Sequence, residues 1–220
     1  MDYGIIFLKF GELNMKINRD VIRPLDIGFS SDVSVFATLE KSVINGPLEA
    51  LMDFNHKYPV HVFQFVSILG HMRILEMITD KNDKNKMKLT LTSISKYENN
   101  GLLGNRIICV KRLGLYDDVA RRTQANMRHL ERWSKDTTKY DLKELTKFLK
   151  LPFYNDPKKF VCSSEIEDEL NKDGYTFTNF PLHRKAGLIS PYDIMKASFI
   201  KNSMDGNRWG FFKVDNAIIK

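Results

Sequence analysis

Two β-rich runs divided by a tight turn constrain this chain more than any other feature. Val60-His61-Val62-Phe63-Gln64-Phe65-Val66 and Met72-Arg73-Ile74-Leu75-Glu76-Met77-Ile78 are dense in β-branched and aromatic side chains, with Gly70-His71 between them. So short a connection joins antiparallel strands, and apolar residues on both faces mark strands that are buried. Lys88 to Ile94 and Arg106 to Arg112 extend the sheet, with Asn99-Asn100-Gly101 as loop. Short strands are expected at 4–10 and 14–18, and Pro24-Leu25-Asp26-Ile27-Gly28-Phe29 reads as a turn feeding a strand. Helical periodicity appears at 32–44, 48–55, 116–134 (the longest), about 141–150 and Ser163 to Lys172, and Ser190-Pro191-Tyr192-Asp193 opens a last short helix. These elements predict an α+β fold: an antiparallel sheet or partial barrel packed against helices.

Composition narrows the function classes. With 220 residues, 43% of them apolar and 28% charged, the chain has material for one domain with a core and is not generally disordered. Nowhere do about 18 apolar residues run together, so no membrane-spanning helix is expected. Met1 to Phe10 is apolar but carries Asp2 and Lys9 and lacks a small-residue cleavage site, which argues against a signal peptide. Two cysteines, Cys109 and Cys162, make neither a disulfide framework nor a four-cysteine zinc site. That usage fits a cytoplasmic or virion-internal protein. No His, Asp or Glu group has metal-ligand spacing, so no metal is expected. The net charge of +7 invites a nucleic-acid reading, concentrated in the basic stretch that holds Arg121, Arg122, Arg128 and Arg132. An exposed helix face is the plainer account of those arginines.

Cys162 stands where a strand-like run meets a helix, in Phe160-Val161-Cys162-Ser163-Ser164-Glu165-Ile166-Glu167. Unpaired amides and the positive dipole end at a helix start favour a thiolate and can also bind an oxyanion. A buried cysteine at a helix start is the structural alternative. A thiolate nucleophile needs a base, and His61 is the histidine that sits in a buried-type strand, where an imidazole must find a partner. His71, His129 and His183 read as solvated. Glu76, near the middle of the second strand, is an acid costly to bury alone and stands close enough to orient His61. Its alternative is an exposed edge position paired with a lysine.

The ordered set Pro24-Leu25-Asp26-Ile27, Val60-His61-Val62-Phe63, Ile74-Leu75-Glu76-Met77, Tyr140-Asp141, Val161-Cys162-Ser163-Ser164-Glu165-Ile166 and Ser190-Pro191-Tyr192-Asp193 resembles the circularly permuted papain-like amidohydrolases. These are the YiiX/YaeF-type branch of the NlpC-type superfamily, and the likeness spans about residues 22–200. It implies one permuted papain-like domain over 1–220, with a helical insert at about 116–150 and a short extension at 201–220. It also implies Cys162 as nucleophile, His61 as base and Glu76 as the residue orienting His61, with Tyr140, Phe63 and Ser163 lining the substrate pocket. The chemistry would be acyl transfer through a thioester, on a peptide amide or a lipid-like ester, without a cofactor. Departures fall around the pocket. Leu25 stands for the usual Gly, Val60 for a small Ser and Phe63 for a Gly, while Ser163-Ser164 adds a residue before Glu165. They fit a divergent, viral member better than a housekeeping enzyme. Two other readings compete: a structural or virion protein that kept the fold without turnover, and a nucleic-acid-binding protein using the basic helix.

Overall fold

At the tip of the central hairpin, Leu69 and Gly70 both take positive φ, 50° and 78°. That is the pair of left-handed residues a two-residue turn needs to match the twist of its strands. The turn therefore falls one residue earlier than Gly70-His71. It joins β2 (His61–Ile68) to β3 (His71–Thr79), paired antiparallel with Gln64 opposite Leu75 and Ile68 opposite His71. The computed structural model describes residues 17–31, 59–79, 86–98, 106–135, 140–141, 162–173, 175–176, 191–196, 199–202 and 208–214. The expected strand at 4–10, most of that at 14–18, the expected helices at 32–44 and 48–55, and that at about 141–150 apart from Asp141, which is extended, lie outside the described residues.

Around the hairpin stand β1 (Ile27–Ser31), β4 (Lys86–Thr92), β5 (Arg106–Leu113), β6 (Tyr140–Asp141), β7 (Tyr175–Thr176), β8 (Phe199–Asn202) and β9 (Arg208–Lys213). Their order in the sheet is β6-β4-β3-β2-β1-β5-β9-β8-β7, with every described pairing antiparallel. The protein is thus α+β. The segment expected as an extension at 201–220 is partly structural: β9 hydrogen-bonds to β5, placing Leu113 opposite Phe211, and β8 continues from it. The register of β1 against β5 slips between Phe29 and Ser30, and Ser30 of β1 is the residue paired opposite His61 of β2. A bulge of this kind redirects side chains and is common beside functional sites.

Three α-helices are described: α1 (Val119–Lys135), α2 (Cys162–Lys172) and α3 (Pro191–Lys196). Pro191 opens the last of these, a position where its missing N–H costs nothing. Ile166 and Leu170 of α2 and Ile194 of α3 join Ile27, Phe29, Val62 and Leu113 in one core cluster. Leu130 and Trp133 of α1 pack on Val66, Leu75, Met77 and Leu89. A third cluster, with Phe63, Phe65, Ile74 and Ile107, is closed by the 3-10 turn Ile94–Tyr97. Among the described residues no helix is long and apolar enough to cross a membrane.

The Pro24-Leu25-Asp26-Ile27 segment is a lock on the sheet. Asp26, 1% exposed, takes two hydrogen bonds from Arg112, each of 2.8 Å, and one from the Arg23 backbone. Burial raises the Asp26 pKa, while Arg112 and the Arg23 amide pull the other way. The Leu25 N–H donates to the Phe65 carbonyl and the Phe65 N–H donates to the Asp26 carbonyl, so the turn is stitched onto β2.

Candidate active site

His61 opens β2 and Cys162 opens α2, the helix that packs against β2 and β3. The two meet: the Cys162 side chain is hydrogen-bonded to His61. On its other side, His61 Nε2 lies 2.9 Å from Glu76 Oε2, which leaves Nδ1 as the ring nitrogen for sulfur. The three residues expected to act together are therefore in one chain of contacts. His61 keeps 18% of its side chain exposed, whereas that of Glu76 is 0% exposed, so the ring is reachable from solvent and the acid is not.

The electrostatics follow from burial and charge. Burial disfavours the imidazolium, but the charge and hydrogen bond of Cys162, together with those of Glu76, outweigh it and raise the His61 pKa to about 10. Burial likewise opposes ionisation of Glu76, yet His61 and Lys96 bring its pKa down to about 2. Across neutral pH the ring is thus an imidazolium backed by a carboxylate.

Glu76 has more partners than the sequence reading supplied. Thr92 Oγ1 donates to Oε1 at 2.6 Å and Lys96 Nζ at 2.7 Å, and the Tyr97 hydroxyl donates to Oε2 at 2.5 Å. All three come from the segment in which β4 ends and the turn Ile94–Tyr97 begins. A signal was present: Ser93-Ile94-Ser95 starts a capped turn, with Ser93 accepting from the Ser95 N–H. Reading the strand through to Ile94 hid that turn, because Ile continues the apolar alternation.

The expected pocket residues fare differently. Phe63 does share the face of His61, with ring centroids 5.9 Å apart, but it is 1% exposed. It packs against Tyr97 at 4.9 Å and Phe65 at 5.5 Å, and so belongs to the core beneath the site instead of lining open space. Its place depends on Gly28, opposite it in β1: a Cβ there would stand 2.2 Å from the Phe63 ring. Ser163 is buried in the first turn of α2, next to Cys162. Tyr140 pairs with Met87 in the edge strand β6, with β4 and β3 between it and β2.

The basic helix is also reassigned. Arg128 bonds Asp173, and Arg132 bonds Asp168 at 3.0 Å and also Glu169, all at the acidic α2 end of the molecule. Arg122 donates to the Tyr116 carbonyl at 2.6 Å. Three of the four guanidiniums in the basic stretch are thus engaged within the chain. His129, expected in solvent, is 1% exposed at the same helix contact. Among the described residues no group of three or more His, Cys, Asp or Glu could hold a metal ion. No protein-family model matches the chain, and no curated protein matches it at a significant level.

Proposed function

We propose that the chain is a cysteine-dependent acyl hydrolase of the circularly permuted papain-like, NlpC-type kind, acting on a peptide amide or a lipid-like ester. One observation carries the reading: a helix-opening cysteine hydrogen-bonded to a histidine whose far nitrogen faces a buried carboxylate. In the first step Cys162 sulfur attacks the substrate carbonyl and an S–C bond forms. The oxyanion is met by amides at the start of α2, which point outward without helical partners. The His61 imidazolium then gives its proton to the departing amine or alcohol as the C–N or C–O bond breaks, leaving a thioester. Neutral His61 next takes a proton from water, hydroxide displaces sulfur, and the acid is released. Glu76 stays ionised throughout and holds the ring in register.

The competing reading, a protein that kept the fold but not the chemistry, expects Cys162 out of reach of His61 and no open groove in front of them. Their hydrogen bond speaks against the first of these. An activated ester tests the proposal without knowledge of the natural substrate. Full-length protein treated with p-nitrophenyl acetate should acquire acetyl on Cys162 and not on buried Cys109, with His61→Ala slowing the reaction by about 100-fold or more. Acetylation at equal rates in wild type and His61→Ala would sink it.

A further inference from the structure

We infer that Lys96 and Tyr97 are positioning residues for the Cys162–His61 pair, acting through Glu76; this rests on the hydrolase reading above. A carboxylate held by His61 alone could turn about its last side-chain torsion and offer the ring either oxygen. Here each oxygen has two donors. His61 and Tyr97 share Oε2, at 2.9 and 2.5 Å, while Thr92 and Lys96 share Oε1, at 2.6 and 2.7 Å. The plane of the carboxylate is thereby fixed with Oε2 toward the ring, which aims the opposite nitrogen at sulfur. Tyr97 is itself fixed by the Phe63 ring on one side, and Lys96 Nζ stands 5.2 Å from the Tyr97 ring centroid. Burial and the Glu76 charge push the Tyr97 phenol well above its usual range, so it remains a donor at any working pH.

Lys96 also contributes charge. It is the second cation on a carboxylate that burial alone would drive toward the neutral acid. The side chain is 41% exposed, so replacing it empties no core. The test uses the full chain, the Cys162 acetylation rate, and the Glu76 carboxyl followed by carbon-13 NMR. Lys96→Met should raise the Glu76 titration by about 1 pH unit or more and carry the acid limb of the acetylation profile upward with it. Lys96→Arg should restore most of the wild-type profile, because it keeps the charge. Tyr97→Phe keeps the ring stacked on Phe63 and should slow acetylation about tenfold at its plateau. If wild type acetylates while all three folded variants match it in titration and rate, the positioning role is overturned and the hydrolase reading survives. Identical shifts in Lys96→Met and Lys96→Arg would remove the charge role of Lys96. Failure of wild type to acetylate Cys162 overturns both.

Discussion

Leu25 carries a conformation that leucine seldom adopts. Its φ is +71°, and its side chain is 0% exposed within the cluster formed by Ile27, Phe29, Val62 and helix α2. The left-handed region costs a residue with a Cβ about 1–2 kcal/mol, and glycine much less. The strain is tolerated because a buried leucine contributes more than the strain removes. Leu25→Gly should therefore relax the backbone and still destabilise the fold, by about 1–3 kcal/mol, since emptying a fully buried leucine site costs about 2–5 kcal/mol. Urea unfolding of the two proteins decides it, and equal or greater stability for the glycine variant would show that the cavity closes without loss.

On the scale of elements, α1 and α2 are joined by charge as much as by apolar packing. Glu165, Asp168 and Glu169 stand three and four residues apart on α2, hence on one face. Arg132 of α1 reaches all three, with Glu165 the farthest at 3.7 Å. Glu169 is 0% exposed, so removing Arg132 leaves a buried carboxylate with Lys172 at 2.9 Å, His129 at 3.2 Å and Arg128 at 3.8 Å as its remaining basic neighbours. Arg132→Met should cost about 3–5 kcal/mol in chemical denaturation, with Arg132→Lys intermediate because an ammonium cannot fork between carboxylates. An Arg132→Met protein as stable as wild type would mean that the ion pairs merely offset their own desolvation. This interface also marks the limit of what sequence could reveal. The hairpin, the acid in β3 and the helix that Cys162 opens were legible because period-two alternation, a tight turn and a helix-start pattern are local. The role of Arg128 and Arg132 was not, since their carboxylates lie about forty residues downstream. Asp26 likewise finds Arg112 across 86 positions, and Lys96 finds Glu76 only because β4 folds back on β3. Phe63 was placed on the correct face, but whether a residue lines a pocket or fills a core depends on what covers it, here Tyr97 and Gly28.

For the whole molecule, the same buried charges set how stability answers to pH. Three of the shifted groups, Glu76, His129 and Glu165, act in ways that partly cancel. Glu76, held near 2 against an ordinary 4.5, binds its proton more tightly when the chain is unfolded, so stability rises with pH from about 2 to 4.5. His129 is pushed down by burial, to about 4 from 6.5, and gives a further rise over that interval. Glu165 does the opposite. Burial, with repulsion from Glu169 and Asp168 and only partial relief from Arg132, raises its pKa to about 8. Folded Glu165 keeps a proton that the unfolded chain has lost, so its contribution falls as pH climbs from about 4.5 to 8. Between about 4.5 and 6.5 the rise from His129 opposes this fall, and above 6.5 the fall is unopposed by it. His61, raised to about 10, titrates in the same direction over part of that range, which is why the isolating comparison is with Glu165→Gln. A glutamine cannot ionise, so wild type should lose about 2 kcal/mol relative to Glu165→Gln between pH 6.5 and 8, at about 1.36 kcal/mol per unit of pH. Urea midpoints measured at both pH values give the difference directly. Parallel changes in the two proteins would mean that Glu165 is ionised in the fold.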